Sequence, residues 1–196
     1  MGCIHCVGCA DSTNNSNKME TDLYRQLEKL KTGVLDKDFS FNGYEGWAKV
    51  VSVLDGDTLR IQIIYHNNII QLRIRCCGYN SPELKPSLKH ENRQLEINNA
   101  NRSLNRIIEL TTNCPVNMDS VYTKYDIKEM LLSNSKLIYV KLYDFDNFGR
   151  VWAVLYQNDK DPLNQLNDNS INSQMVREKY AVEYYGEKHN KLKPTI

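Results

Sequence analysis

The chain has 196 residues, of which 41% are hydrophobic and 25% charged, a composition typical of a globular protein with a buried core. The formal net charge is +1, so the net charge gives no argument for nucleic-acid binding, and any anion site must come from locally placed Arg or Lys. No apolar run is long enough to span a bilayer, and the length suits one sizeable domain with appendages.

The first residues carry a pattern for lipid attachment. Gly2 follows the initiator Met, as N-myristoylation requires, although Cys6 stands where the pattern has Ser or Thr. Cys3, Cys6 and Cys9 are then candidate palmitoylation sites, because a second acyl chain makes anchoring stable where one myristoyl chain binds only marginally. Two alternatives stay open: a metal site on the C-x2-C-x2-C spacing, and a disordered start with incidental thiols.

The same cysteines bear on the compartment. No secretory apolar segment precedes them, so a disulfide framework is not expected and a reducing compartment is favoured. The prediction is a lipid-anchored protein on the cytoplasmic face of a membrane, or otherwise a cytoplasmic one.

Three regions follow from the composition along the chain. Residues 1–18 are predicted to be a flexible tail, because an Asn- and Ser-rich stretch ends them. Residues 19–46 are predicted to hold a helix, Met19–Lys31, and a linker, since Leu23, Leu27 and Leu30 fall on one helical face. Residues 47–196 are predicted to be the folded domain.

Three consecutive strands open that domain. Alternating apolar residues predict strands at Trp47–Val53, Leu59–Tyr65 and Ile69–Arg75, with Val51 and Val53 both on the apolar face of the first. The turn Asp55-Gly56-Asp57-Thr58 joins the first two, and Gly56 is expected there for its freedom at positive φ. Three hairpin-linked strands predict a meander that curls into a small OB-like barrel.

The later elements complete an α+β class: a five-stranded OB-like β-barrel with packed helices, an N-terminal helix and a flexible tail. Pro82 ends the third strand and starts a loop. An apolar stripe that includes Leu95 predicts the longest helix. The further predicted elements are helices at Glu91–Leu110, Asp126–Leu132 and Ser170–Lys179 and strands at Lys136–Tyr143 and Val151–Gln157.

Four separated motifs follow one another along the domain. They are Asp55-Gly56-Asp57-Thr58, Arg75, Asn80-Ser81-Pro82-Glu83 and Phe148-Gly149-Arg150. Together they closely resemble the staphylococcal (thermonuclease-like) nuclease family, which has D-G-D-T, then an Arg five residues before D-T-P-E, then Y-G-R, in the same order. The resemblance covers roughly residues 47–186.

The resemblance implies a Ca²⁺-dependent endonuclease that hydrolyses phosphodiester bonds in DNA or RNA. It implies that Asp57, Asn80 and the backbone of Ser81 are the metal ligands, with Asp55 as a nearby second carboxylate. Hard oxygen ligands of this kind suit Ca²⁺. One departure matters, since Asn80 stands where the family has an acid, and the lost charge is expected to weaken the metal site.

The resemblance also implies the catalytic residues. Glu83 would position or deprotonate the attacking water, and Arg75 and Arg150 would clamp the phosphate. Two forked guanidinium groups and a hard cation suit a phosphodiester whose transition state gathers negative charge on its oxygens. Two alternatives without a catalytic role stay open. In these, Arg75 is a charge on the surface of its strand, and Glu83 is an acid in a solvated loop.

Aromatic residues beside these motifs are candidates for stacking on nucleic-acid bases. Phe148 stands where the family has Tyr, and core packing is an equal alternative for it. Tyr184 and Tyr185 follow the last predicted helix, in a segment whose tyrosines border the family's nucleotide pocket.

Three functions therefore remain open, all for a protein expected to be monomeric. The first is a membrane-tethered Ca²⁺-dependent nuclease. The second is a catalytically weak or silent nuclease-fold module that binds nucleic acid, and the third is a plain OB-like ligand- or protein-binding barrel.

Overall fold

The computed structural model describes residue 22 and residues 24–29, 38–160 and 169–184. The predicted lipidation sites Gly2, Cys3 and Cys6, the tail of residues 1–18, residues 161–168 and the stacking candidate Tyr185 lie outside the described residues. The chain divides into two compact units, Met1–Phe39 and Ser40–Ile196. In the first unit, residues 24–29 are helical and exposed, within the predicted helix.

The second unit is built on a β-barrel. The strands among its described residues are β1 (Glu45–Val53), β2 (Thr58–Tyr65), β3 (Asn68–Cys76), β4 (Tyr79–Asn80), β5 (Leu137–Phe145), β6 (Val151–Tyr156) and β7 (Val182–Glu183). The barrel closes in the order β1-β2-β3-β6-β5, with β5 pairing back to β1, while β4 and β7 form a small separate sheet. Strands β3 and β6 are parallel, and the other barrel neighbours are antiparallel. The predicted α+β class with a five-stranded, OB-like barrel is confirmed.

Alternating apolar side chains fill the barrel interior. In β2 the side chains of Leu59, Ile61 and Ile63 are buried, and the residues between them are more exposed. Strands β5 and β6 repeat the pattern, and burial of each such side chain contributes about 1.5–3 kcal/mol. The core therefore holds the strand ends, and with them the connecting loops, in fixed positions.

Three helices pack around this barrel in the described part of the second unit: α1 (Arg93–Thr111), α2 (Lys124–Ser133) and α3 (Ile171–Arg177). Helix α3 is pinned by the buried side chain of Asn172. Its oxygen accepts from the N–H of Leu155 at 2.9 Å, and its amide nitrogen donates to the carbonyls of Cys77 at 2.9 Å and Ala153 at 3.1 Å. One amide side chain thus joins α3, β6 and the segment after β3.

Two details of the predicted apolar faces are wrong. Val51 is only half-buried, because a register shift between Val50 and Ser52 interrupts the alternation, so Val50 and Val53 point into the core instead. Leu95 is 60% exposed, since the buried residues of α1 begin only at Ala100, beyond its first turns.

Candidate functional site

The loop Leu54–Asp57 connects β1 to β2 and forms one wall of the candidate site. The N–H of Leu54 donates to the carbonyl of Thr58 at 2.9 Å, which closes the loop. The carboxylate of Asp55 accepts from the N–H of Asp57 at 3.1 Å, a local bond that Asp favours in turns. Asp55 therefore shapes the backbone that presents Asp57.

Gly56 is needed in this loop for space. The glycines with positive φ among the described residues are Gly43, Gly78 and Gly149, so the expected reason for Gly56 is wrong. A Cβ at Gly56 would collide with the hydroxyl of Ser103 on α1 and lie 2.7 Å from the Cβ of Ser81. The absence of a side chain lets α1 and the loop after β4 approach the turn closely.

Asp57 lies at the centre of the site and is only 6% exposed. Its Oδ2 accepts from the N–H of Ser81 at 2.8 Å and from the Ser81 hydroxyl at 2.9 Å. Its Oδ1 accepts from the hydroxyl of Thr58 at 3.0 Å and forms an ion pair with Nη1 of Arg75. A buried carboxylate requires such partners, because desolvation disfavours an unpaired charge.

Arg75, at the end of β3, is 7% exposed and joins three elements of the site. Besides Asp57, its guanidinium contacts the side-chain oxygen of Asn80 through Nη2, which also donates to the carbonyl of Tyr79 at 3.2 Å. Burial lowers the pKa of Arg75, and the positive charge of Arg150 acts in the same direction, but a guanidinium stays charged in proteins. The alternative in which Arg75 is a charge on the strand surface does not fit this burial.

Arg150 reaches the same site from the loop between β5 and β6. Its Nε donates to Oδ2 of Asp146 at 2.6 Å, and its Nη1 donates to the hydroxyl of Thr58 at 3.3 Å. The backbone N–H groups of Phe148 and Arg150 both donate to Oδ1 of Asp146 at 2.8 Å. Burial alone would raise the pKa of Asp146, but these hydrogen bonds and the Arg150 charge lower it.

The segment after β3 carries the remaining predicted residues. Asn80 belongs to β4, which pairs with β7, and Ser81 follows it directly. Glu83 is exposed, and its backbone N–H donates to a carboxylate oxygen of Glu96 at 2.9 Å. Direct contacts thus connect the site residues other than Glu83. Glu83 is near them because it follows Ser81 by two residues in the chain.

Two of the three aromatic candidates, Phe148 and Tyr184, belong to the described residues, and both are exposed. Phe148 is 79% exposed, which excludes the core-packing alternative, and the guanidinium carbon of Arg150 lies 5.4 Å from its ring centroid. Tyr184 is partly exposed, and its N–H donates to the carbonyl of Gly78 at 2.9 Å. Both rings are accessible to a planar ligand.

The donor atoms in this site fit a hard cation by type. Asp55, Asp57, Asn80 and the Ser81 carbonyl offer only oxygen, which Ca²⁺ prefers. Among the described residues no group of three or more His, Cys, Asp or Glu side chains could hold a metal ion, so amide and backbone oxygens would have to complete the ligand set. Both oxygens of Asp57 already have partners, and a bound cation would replace one of them.

Asp55 is the second carboxylate of the turn, and its surroundings shift its pKa. Burial raises the pKa of Asp55, while hydrogen bonds from Thr58 and the charges of Arg75 and Arg150 oppose that shift. The charged form of Asp55 is therefore disfavoured by the fold. A cation bound at this turn would add positive charge and so favour the charged form of Asp55.

Three residues that position the site were missed from the sequence. Asp146 precedes Arg150 by four residues, a spacing that signals the ion pair only once the loop is known. The buried Tyr79 donates its hydroxyl to the carbonyl of Gly56 at 2.8 Å, although it resembles an ordinary strand aromatic. Ser103 has a fully buried hydroxyl without a hydrogen-bond partner in the described part of the chain, and no sequence signal marks it.

No family model matches this sequence, and no curated protein matches it. The likeness to the staphylococcal nuclease family therefore stays a prediction.

None of the helices in the described residues has the length and apolar character needed to cross a membrane.

Proposed function

We propose that the protein is a Ca²⁺-dependent phosphodiesterase that cleaves DNA or RNA internally. The supporting observation is a continuous set of contacts that joins two arginines to oxygen donors at one end of the barrel. It runs from Arg150 through Thr58 to Asp57, and from Asp57 through Arg75 to Asn80. Paired guanidinium groups next to a hard-cation donor set suit an anionic phosphodiester better than a neutral ligand.

The two arginines have different tasks in this proposal. Arg150 donates through Nε to Asp146 and through Nη1 to Thr58, and its Nη2 makes no hydrogen bond with the described residues, so it can donate to a phosphate oxygen at once. Both terminal nitrogens of Arg75 contact protein acceptors, which leaves fewer of its five N–H groups for a phosphate oxygen. Donors fixed in this way stabilise charge that develops in the transition state.

Glu83 is the proposed general base. Its carboxylate is exposed next to Ser81, where water is available, and its backbone is fixed by Glu96. An ionised carboxylate can orient a water molecule and take its proton, which typically contributes 10²–10⁴-fold to the rate. Ca²⁺, when bound by Asp57, Asn80 and the Ser81 carbonyl, would polarise the phosphate and offset its charge.

The test is cleavage of single-stranded DNA with Ca²⁺ and with EDTA. We expect cleavage that requires Ca²⁺, and a loss of about a hundredfold or more in Glu83→Gln. Glu91→Gln is the matched control, because Glu91 is an exposed acid just before α1 and no site contact involves it. A folded protein that cleaves nothing in Ca²⁺ refutes the proposal, and unchanged cleavage by Glu83→Gln refutes the role of Glu83.

A silent nucleic-acid-binding module is the second candidate, favoured by Asn80 and by the buried ion pair between Arg75 and Asp57. An amide in place of an acid lowers the ligand charge, and the buried ion pair competes with a cation for Asp57. Binding of single-stranded DNA without cleavage at any Ca²⁺ concentration would establish this alternative.

We propose further that lipids at Gly2, Cys3 and Cys6 tether the protein to a membrane. The support is the motif alone, since one acyl chain binds weakly and a second makes the anchor stable. In cells, Gly2→Ala is expected to move the protein from the membrane fraction to the soluble fraction. Unchanged partitioning would remove this proposal and leave the nuclease proposal untouched.

A further inference from the structure

A cleft of about 440 Å³ opens beside the candidate site, within the size range of ligand sites. Its walls come from α1, from the end of α3 and the segment after it, and from the loop after β4. The residues that matter for its chemistry are Pro82, Arg102, Lys179, Tyr180 and Val182.

The cleft adjoins the candidate site through two of its lining residues. Pro82 follows Ser81 directly, and Val182 on the opposite wall pairs with Asn80 across the β4–β7 sheet. The carboxylate of Glu96, also in the wall, accepts from the backbone N–H of Glu83. A chain-like substrate placed at the site must continue past it, and this cleft lies next to that position.

Two acids and two cations line the cleft, and both acids already accept hydrogen bonds. Glu96 accepts the backbone N–H of Glu83, and Glu178 accepts from Nε and Nη2 of Arg106 at 2.8 Å and 2.9 Å, an arginine that also pairs with Glu109. Lys179 forms no ion pair with the described residues, and Arg102 has only a 3.7 Å contact with the exposed Asp119. An exposed contact of this length contributes little, so both cations can pair with an anion.

Apolar and aromatic groups stand beside these cations. The half-buried ring of Tyr180 packs on the core with the guanidinium carbon of Arg106 6.0 Å from its centroid, and it lines the cleft together with Pro82 and the exposed side chain of Val182. Cations that follow a phosphate backbone, with an aromatic ring on which a base stacks, are the recurring features of single-strand binding. Lys179 has a φ of 64°, so the turn after α3 holds its backbone in an uncommon conformation at the cleft.

We propose that this cleft binds the single-stranded nucleic-acid segment next to the scissile phosphate, with Arg102 and Lys179 on its phosphates and Tyr180 against a base. The identity of this ligand rests on the proposed function. The cleft contributes affinity and strand selectivity, and the chemical step belongs to the neighbouring site.

The test measures binding and cleavage separately on the full chain. Binding of fluorescein-labelled octathymidylate is followed by anisotropy in EDTA over a salt series, and hydrolysis of bis-p-nitrophenyl phosphate is followed with Ca²⁺. The cleft variant is Arg102→Gln with Lys179→Asn, since Asn tolerates positive φ. The control is Lys124→Gln with Lys128→Gln on α2, which removes the same charge from an exposed face outside the cleft.

We expect the cleft variant to bind octathymidylate about 25-fold more weakly at 0.1 M salt, with a salt slope smaller by about 1.4, as two lost phosphate contacts imply. The control variant and the hydrolysis of the small ester should match wild type. The inference is overturned by wild-type binding in the cleft variant, by an equal loss in the control, or by absent binding in wild type. If wild type does not hydrolyse the small ester but the cleft variant still binds octathymidylate more weakly, only the proposed catalysis is refuted.

Discussion

Replacing Arg75 by Gln removes the positive member of the buried ion pair with Asp57. Both side chains are only 8% exposed, so the carboxylate left behind cannot recover its hydration. Breaking a buried pair from one side costs about 3–5 kcal/mol. Asp57 keeps donors from Thr58 and Ser81, which places the expected loss in the free energy of unfolding near the lower end, at about 3 kcal/mol.

The pair is best measured by a double-mutant cycle. Asp57→Asn alone leaves the buried guanidinium with neutral acceptors and without its counter-charge, and we expect a loss of about 3 kcal/mol for this variant too. In the double variant no uncompensated charge remains, so the total loss should fall short of the sum by about 2 kcal/mol or more.

Urea unfolding at neutral pH, followed by circular dichroism, gives the four free energies. Arg73→Gln is the matched control, because Arg73 lies two residues earlier on β3 and is exposed. A surface change of this kind is expected to stay within about 0.5 kcal/mol of wild type. Two results would refute the reasoning about the buried pair. One is that the losses of the two single variants add up in the double variant. The other is a loss below about 1 kcal/mol for Arg75→Gln, which is the range of exposed ion pairs.

Further predictions test the individual parts of the site. Asn80→Asp should tighten Ca²⁺ binding, measured by calorimetry, by about tenfold or about 1.4 kcal/mol, because the variant adds a negative charge to the ligand set. Unchanged affinity would show that the cation binds elsewhere. Gly56→Ala should lower the unfolding free energy by about 3 kcal/mol in urea, because its Cβ overlaps Ser103, and a neutral effect would contradict that packing. Asp55→Asn should raise the melting temperature at pH 7, because burial raises the Asp55 pKa and so disfavours the charged form; the difference should vanish below the unfolded pKa of about 3.9, and its persistence there would show another cause. Asp146→Ala should reduce kcat/KM on single-stranded DNA by about a hundredfold by freeing Arg150, and wild-type kinetics would show that Asp146 does not position it.

The barrel was predictable because its signals are local. Period-two alternation predicts β2 and β3, and the two residues between them, His66 and Asn67, adopt the positive φ of a tight hairpin turn. The same rule failed in β1, where one extra residue at Val51 shifts the alternation by one place. A bulge depends on the partner strand, which the single sequence does not show.

The site was predictable as a set of residues but not as a geometry. Motif spacing named Asp57, Arg75, Asn80, Ser81 and Arg150, and the structure joins them by direct contacts. The mutual engagement of Arg75 and Asp57 was not foreseen, because charge pairing across two strands depends on the register of β2 and β3. Thr58 and Arg75 are opposite each other in that register, which places the end of β3 against the turn.

The parallel pairing of β3 with β6 determines when the site can form during folding. The bond from Arg150 to Thr58 joins residues 92 positions apart, whereas Asp57 and Arg75 are joined within a single meander. Contacts of long sequence separation form late, because the intervening chain must first lose its entropy. A ribosome-bound chain in which β6 has not yet docked can therefore already join its carboxylate to its first guanidinium, but Arg150, which directly precedes β6, is not yet held beside Thr58. Under the proposed function, the chain would be unable to attack nucleic acid around the ribosome until the last barrel strand has docked.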